Sequence, residues 1–416
     1  MSIRILILGA GFAGFNVARR LERIARHNEI AVTIVSRENY MLFTPMLPEV
    51  SSGSIEPRHI APPLRAILRH TVFELGDVTS VDLGARTVAL RKRRQSEVAT
   101  LPYDQLVIAL GSENSTHDVP GASDHTFPLK TLPDAIALRD VVITALENAA
   151  TARDERERRS LMTFVVVGGG FTGVEAAGEL LAFVRRASRL YPRMESAEIR
   201  MVLVAGSDRL LEQLQPKIGS LACAMLVGRG VDVVLGDRVA SIDAGGITLN
   251  SGKRYESRCI VWSAGDRPAQ LAAELPLAHS PHHAVLVNPD LSVRGAPNVW
   301  ALGDCAYVPK PAGGAYPQTA QHAIHEAKAL ARNLLASARE RKTKPYVYRS
   351  RGMMASLGAH EGVAALPGGC TIGGFGAWLL WRSFYLSQLP GADRKARVML
   401  DWTLELPFPQ DIASVR

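Results

Sequence analysis

IRILILGAGFAGFNVARRLE, residues 3–22, decides how the chain begins to fold. Ile3, Ile5, Leu6, Ile7 and Leu8 form a short apolar run, the pattern of a strand buried in a parallel sheet. Gly9, Gly11 and Gly14 follow at G-x-G-x-x-G spacing and lead straight into helix-compatible sequence. A strand-turn-helix unit with that spacing accommodates a dinucleotide pyrophosphate. The first glycine permits the tight turn, the second admits the phosphates to the backbone, and the third lets the helix pack close to the strand. Phosphate then rests on the N–H groups and the positive dipole end of that helix.

One glycine loop is weak evidence, because strand-helix corners use glycine for structural reasons alone. The arrangement recurs in TFVVVGGGFTGVEAAGELL, residues 163–181, with Val165, Val166 and Val167 as the strand and Gly168, Gly170 and Gly173 at the same offsets. Two nucleotide units in one chain imply that one nucleotide passes electrons to the other. The expected fold class is therefore α/β, with two Rossmann-like dinucleotide-binding domains.

With 416 residues, two or three domains are expected. A 47% hydrophobic and 21% charged composition belongs to a globular rather than a disordered chain. The net charge of +8 admits nucleic acid, an anionic cofactor or an anionic membrane as partner without choosing among them. Cys223, Cys259, Cys305 and Cys370 lie far apart, with no C-x-x-C pair, which argues against a disulfide reductase and against a metal finger. Buried free thiols and a reducing compartment are expected. The first strand begins at Ile3, so no signal or transit peptide is expected. No apolar run reaches the roughly 20 residues that a membrane span needs, and any membrane association is expected to be peripheral.

Along the chain, Ile30 to Val35 reads as the second strand, whose end normally carries an acid for the ribose. Ser36 stands there, followed by Arg37 and Glu38; either the serine bonds the ribose or Glu38 reaches back. The segment Asn39 to Pro57 is apolar and proline-rich, and it either packs beneath its domain or walls the cofactor. Residues 72–110 read as alternating strands, with the basic run RKRRQSE (91–97) as a solvated hairpin tip. That run has no interleaved aromatics, so no nucleic-acid partner is expected. Pro120, Gly121 and Pro128 mark a crossing between domains, and a helix is expected from Asp134 to about Arg159. The strand Met201 to Val204 ends at Ala205 where an acid would exclude a 2′-phosphate, which leaves NADPH open as a donor. In NVWALGDCA (298–306) a strand ends in Gly303 and Asp304, whose carboxylate suits the sugar-alcohol hydroxyls of a flavin.

These residues resemble the flavoproteins with two dinucleotide-binding domains, and within them the type II NADH dehydrogenases, single-subunit NADH:quinone oxidoreductases that pump no protons. The resemblance covers nearly the whole chain: GAGFAG, NYMLFTPMLPEVSSG, YDQLVIALGS, LKTLPDAIALRD, VVVGGGFTGVEAAGEL, NVWALGDCA, TAQHAIHEAKALARN and the tryptophan-rich tail. It implies FAD on Gly9, Gly11, Gly14, Gly111, Gly303 and Asp304, with Ser36, Arg37 and Pro45 completing that site. It implies NADH on Gly168, Gly170, Gly173 and Glu175, and it makes Glu175 the family's glutamate near the flavin, concerned with nicotinamide contact and proton delivery. The alternative for Glu175 is a first-turn helix carboxylate stabilised by the dipole. The family's quinone motif A-Q-x-A-x-Q appears as Ala320, Gln321, His322, Ala323, Ile324 and His325, with His325 in place of the second glutamine. A histidine still donates to a quinone oxygen and titrates near neutrality. His322 and His325 have no further ligand pattern, and no metal is expected.

The resemblance divides the chain into an FAD domain (1–125 and 285–350) interrupted by an NAD(P)H domain (126–284), with a C-terminal region (351–416) for membrane association and dimerisation. In that tail, Trp378, Trp381 and Arg382 of GFGAWLLWRSFYLSQL (374–389) suit a helix in the headgroup boundary, and Arg394, Lys395 and Arg397 suit anionic lipid. Docking on the protein's own core or on a second copy is the alternative. The expected protein is a homodimer on the cytoplasmic face of the cell membrane. Alternative functions are a soluble NAD(P)H:acceptor reductase and a flavin-based NAD(P)H sensor.

Overall fold

In the computed structural model, residues 2–26, 29–92, 98–116, 118–349, 352–408 and 410–414 are described. They form two units, each assembled from three chain segments: Met1–Leu42, Ala61–Glu113 and Asp266–Arg349 in one, Phe43–Ile60, Asn114–Gly265 and Ser350–Arg416 in the other.

In the first unit a seven-stranded sheet runs in the order Val299–Ala301, Gln105–Ile108, Ile3–Leu8, Ile30–Ser36, Val72–Asp82, Thr87–Lys92, Val98–Pro102. Its first five strands are parallel and the last two join antiparallel. Ile5, Leu6, Ile7 and Leu8 are almost wholly buried, as a central parallel strand requires. The helix Phe12–Ile24 returns from that strand and packs against Ala320–Ala338. The chain leaves Ile3–Leu8 toward one side of the sheet and later fills the other, so strand order reverses beside it. In open α/β sheets the carboxyl ends of strands at that reversal open the ligand crevice. Residues 93–97 of the basic run lie outside the described residues; the strands Thr87–Lys92 and Val98–Pro102 on either side of them are paired antiparallel.

The second unit repeats the plan with the parallel order Val231–Leu235, Arg200–Ala205, Thr163–Val167, Cys259–Trp262, Phe127–Pro128. Here the reversal stands at Thr163–Val167, directly ahead of the second glycine loop. The helix expected from Asp134 to about Arg159 is two helices, Leu132–Thr151 and Glu155–Leu161. Ala152 is extended (ψ 132°), and the Asp154 carboxylate accepts the N–H groups of Arg156 and Glu157, which starts a new helix there.

Phe43–Ile60, the greater part of the proline-rich segment, belongs to this second unit. Its short helix Leu47–Ser51 packs on Leu132–Thr151 and Phe171–Ser188, and Met46, Leu47, Val50, Ile55 and Ile60 are buried. The C-terminal segment begins with an antiparallel sheet of Met353–Gly358, Glu361–Ala365 and Thr371–Gly374 before its helices, Phe375–Gln388 and Ala392–Leu404. Met353–Gly358 lies on the helix Phe171–Ser188 so closely that a Cβ on Gly178 would collide with the Leu357 carbonyl. That approach fixes the tail sheet against the second glycine helix.

The tail corrects one expectation. Trp378, Trp381, Arg382 and Trp402 point inward and are more than nine-tenths buried, so they do not face headgroups. Positions 378, 381, 382 and 385 share one helical face, and that face carries the packing. Arg394 and Lys395 are spent on the carbonyls of Arg58 and Ser387, and Arg397 is exposed. The cysteines are free; Cys259 and Cys305 are buried as expected, whereas Cys223 is half-buried and Cys370 exposed.

Candidate functional site

The two glycine loops have the same construction. Gly9 has φ +100° and Gly168 φ +129°, a region closed to ordinary side chains, and their N–H groups bond Val35 and Val204, each at 2.8 Å. A Cβ on Gly14 would collide with the Gly9 carbonyl, and one on Gly173 with the Gly168 carbonyl. Gly11 and Gly170 differ: a Cβ there would meet nothing within 4 Å. Each is the N-cap of its helix, with no side-chain cap and no acid in the first turn. The cradle is thus closed where helix meets strand and open where a pyrophosphate would approach, so it fits a dinucleotide in both units.

In the first unit the neighbouring turn supports the same use. Gly111 and Gly303 both have φ +71°. Asp304 accepts from the Ser112 hydroxyl at 3.1 Å, and its carbonyl accepts from the Gln318 amide at 2.6 Å. The Gly303 N–H donates to Glu326 at 2.8 Å. Glu326 is 3% exposed, and burial pushes its carboxyl up to about 7 against the pull of that N–H. Sequence reasoning missed it, although it falls in the apolar stripe of Ala323, Ala327, Leu330 and Leu334, where an acid is out of place. At the end of the second strand, the Ser36 hydroxyl accepts from the Glu38 N–H at 3.3 Å, while Arg37 is exposed and pairs with Asp77 at 3.0 Å. Pro45 lies in the 3-10 turn Thr44–Met46 of the second unit, apart in the chain's division from the other residues assigned to FAD.

Ala320, Gln321 and His325 open the helix Ala320–Ala338, which Thr319 caps. The half-buried His325 ring stands 5.2 Å from Tyr348, edge to face. His322 is the buried histidine: its Nδ1 is 2.8 Å from the Thr319 hydroxyl, and Tyr316 and Tyr348 flank its ring. Burial and the neighbouring His325 pull its pKa down to about 4, so it is neutral at pH 7. Among the described residues no group of three or more His, Cys, Asp or Glu has a geometry that holds a metal.

In the second unit Glu175 stands beyond the first turn of its helix, 5% exposed, so the dipole account of it does not apply. Its Oε1 accepts from the Ser356 N–H at 3.0 Å and from the Trp381 indole at 2.9 Å. Burial raises its pKa well above the usual carboxylate value, against those two donors. One turn on, Glu179 accepts from the Ser356 hydroxyl at 3.1 Å, and burial raises it too. Glu49 takes bonds from Arg382 and from the Trp402 indole, each at 3.1 Å, and burial pushes it up to about 8. Glu405 accepts from Arg382 at 3.2 Å and Arg186 at 3.1 Å.

The carboxylates of Glu49, Glu175, Glu179 and Glu405 are thus buried together, with Arg382 between Glu49 and Glu405, Arg186 beside Glu405 and the charge of Arg229 acting on Glu179. Unpaired buried charge is costly, and burial accordingly raises Glu49, Glu175 and Glu179 toward their protonated forms. The second oxygen of Glu49, which has no partner among the described residues, is tolerable on a neutral acid. Arg382 lies between the faces of Trp378 and Trp402, 4.1 and 4.5 Å from their centroids. Glu49, Glu179 and Glu405 did not stand out in the sequence, and Arg382 stood out only as a headgroup anchor; the one signal for the cluster was an acid inside the apolar stretch MLPEV.

The family model for pyridine nucleotide-disulphide oxidoreductases matches residues 3–327, and that for the NDH2 C-terminal domain matches residues 350–408. A type II NADH:quinone oxidoreductase of Mycobacterium tuberculosis is 33% identical, with 96% of this chain and 87% of the relative covered. An external alternative NADH-ubiquinone oxidoreductase of Yarrowia lipolytica mitochondria is 27% identical, with 98% and 80% covered. Among solved structures, NDH2 of Plasmodium falciparum in complex with NADH superposes with a TM-score of 0.90 at 20% identity, covering 99% of this chain and all of that one.

Proposed function

Since the chain belongs to the pyridine nucleotide-disulphide oxidoreductases and, within them, to the type II NADH:quinone oxidoreductases, we propose that it carries electrons from NADH through FAD to a quinone. The observation that carries this reading is the pair of open, uncapped glycine cradles, one in each unit. Bound FAD supplies the redox chemistry, by which NADH, a proton and a quinone become NAD⁺ and a quinol.

The chain's own residues bind, orient and supply protons. Gly9, Gly11 and Gly14 seat the FAD pyrophosphate on the helix Phe12–Ile24, while Gly111, Gly303 and Asp304 with Ser36 and Arg37 complete the site. Gly168, Gly170 and Gly173 seat NADH in the same way. Glu175, whose pKa burial raises well above the usual carboxylate value, is the carboxyl that holds a proton where the nicotinamide is bound, with Ser356 and Trp381 fixing its orientation. Ala320, Gln321 and His325 receive the quinone, and the imidazole of His325 donates to a quinone oxygen in place of the family's glutamine amide.

Stopped-flow absorbance tests the reading. NADH is expected to bleach the flavin of the purified holoenzyme, and added quinone to restore its colour within the turnover time. Bleaching without quinone reoxidation would turn the assignment toward a soluble acceptor.

Peripheral attachment to an anionic membrane belongs to the same proposal. No helix among the described residues is long and apolar enough to cross a membrane. The tail nevertheless exposes Phe375, Leu379, Met399, Leu400 and Leu404 on its helices and Leu406 and Phe408 just beyond them. Large apolar side chains concentrated on one segment mark an interaction face. In flotation with vesicles rich in anionic lipid, the wild-type protein is expected to rise with the lipid. Leu379→Glu combined with Leu400→Glu is expected to weaken that binding by roughly tenfold or more. A homodimer through this region is the second reading, and it is the one supported if the double variant shifts sedimentation velocity while flotation stays unchanged.

A further inference from the structure

The end of the strand Arg200–Ala205 is where a dinucleotide fold reads the adenosine ribose. Ala205 is buried, and its Cβ lies 2.7 Å from the point a Cβ on Gly169 would occupy, so position 205 is directed at the second glycine loop. An acid there would accept from a ribose 2′-hydroxyl and repel a 2′-phosphate; alanine does neither. Gly206, the next residue, is exposed and lacks a side chain of its own.

The space beside Gly206 is taken by an arginine from elsewhere in the unit. The Cγ of Arg238 lies 2.9 Å, and its Nε 3.4 Å, from the point a Gly206 Cβ would occupy. Arg238 follows the strand Val231–Leu235, is exposed, and its guanidinium has no hydrogen-bond or ion-pair partner among the described residues. The other charged groups of this corner are engaged or turned aside. Arg209 donates to the Glu212 carbonyl at 3.0 Å, and Asp237 accepts from the Ser251 N–H at 3.3 Å. Asp208 lies against Gly236, its Oδ1 3.0 Å from where a Cβ would stand there. The Ser207 hydroxyl donates to the Arg209 carbonyl at 2.8 Å, which leaves its oxygen as an acceptor toward a ribose hydroxyl.

We infer that this corner makes the chain a dual-donor enzyme, with Arg238 as the cation that pairs with the 2′-phosphate of NADPH and Ser207 serving the 2′-hydroxyl of NADH. The planar guanidinium suits a phosphate, and the missing acid at 205 removes the usual discrimination against it. The inference rests on the reading of the second glycine loop as the nicotinamide dinucleotide site.

The test is the rate of flavin bleaching of the holoenzyme against NADH and against NADPH at low ionic strength, expressed as a ratio of second-order rate constants. The wild-type NADPH-to-NADH ratio is expected above roughly 0.05. Arg238→Ala is expected to lower that ratio about tenfold or more, the loss expected of one charge-assisted hydrogen-bonded pair, while Arg238→Lys retains part of it. Ala205→Glu should lower the ratio by a similar factor from the opposite direction, by repulsion. Raising the salt concentration should reduce the NADPH rate more than the NADH rate in the wild type and not in Arg238→Ala. A wild-type ratio below roughly 0.05, or a ratio that Arg238→Ala leaves unchanged, would overturn the inference while leaving NADH oxidation standing. Bleaching by neither nucleotide would overturn the reading of the loop itself and this inference with it.

Discussion

Arg382→Met is expected to destabilise the holoenzyme by about 3–5 kcal/mol, measured as a loss of free energy in urea unfolding. Methionine fills much of the space between Trp378 and Trp402, so packing is largely kept and the charge is what goes. Glu49 and Glu405 then lose the guanidinium that both of them contact. Glu49→Gln supplies the control, because a glutamine oxygen still accepts from Arg382 and the Trp402 indole without carrying a charge. The pH dependence has a definite sign. The folded-state pKa of Glu49 is raised from 4.5 to about 8, mainly by burial, so its protonated form is favoured by folding. That contribution is fully present below the unfolded value and is lost as pH rises through about 8. Wild-type stability should therefore fall across neutral and mildly alkaline pH. Arg382→Met should steepen that fall, since Arg382 is the group holding Glu49 down, and Glu49→Gln should flatten it. Equal slopes in all three proteins would show that Glu49 does not retain its proton.

Glu175→Gln is expected to lower kcat for NADH oxidation about a hundredfold, the scale of one lost acid–base group, while NADH affinity changes little. The substitution leaves an oxygen for the Ser356 N–H and the Trp381 indole, so the fold is preserved and the exchangeable proton is removed. Glu175→Ala adds a second effect, since both buried donors lose their acceptor at roughly 1–3 kcal/mol each. A glutamine variant with nearly wild-type kcat would mean that Glu175 only orients its neighbours. The pH profile distinguishes the roles further: a proton-holding Glu175 imposes an alkaline limb on kcat that the glutamine variant lacks.

The sequence determined the parts of this protein that depend on neighbours a few residues away. Each glycine loop is a strand, a turn and a helix start within about twenty residues, and the demands for positive φ, close approach and open access act within that window. The same locality made the second strand, the Gly303–Asp304 turn and the tail helix Phe375–Gln388 legible, and the repetition of the loop made the two-nucleotide plan readable. Even the absence of an acid at Ala205 could be read directly, but the arginine that fills the space beside Gly206 could not.

Only the tertiary structure decided which charged groups lose their water. Glu49, Glu175, Glu179, Arg382 and Glu405 span most of the chain's length and meet because the tail sheet lies on the second glycine helix. Arg382 reads from sequence as a headgroup anchor, since a cation among tryptophans suits an interface; the packed helix turns that same face inward and makes it a counter-ion. A pKa depends on desolvation and on neighbouring charge, and neither exists until the segments assemble. The sequence therefore specified what the chain can bind, while packing specified where it keeps its protons.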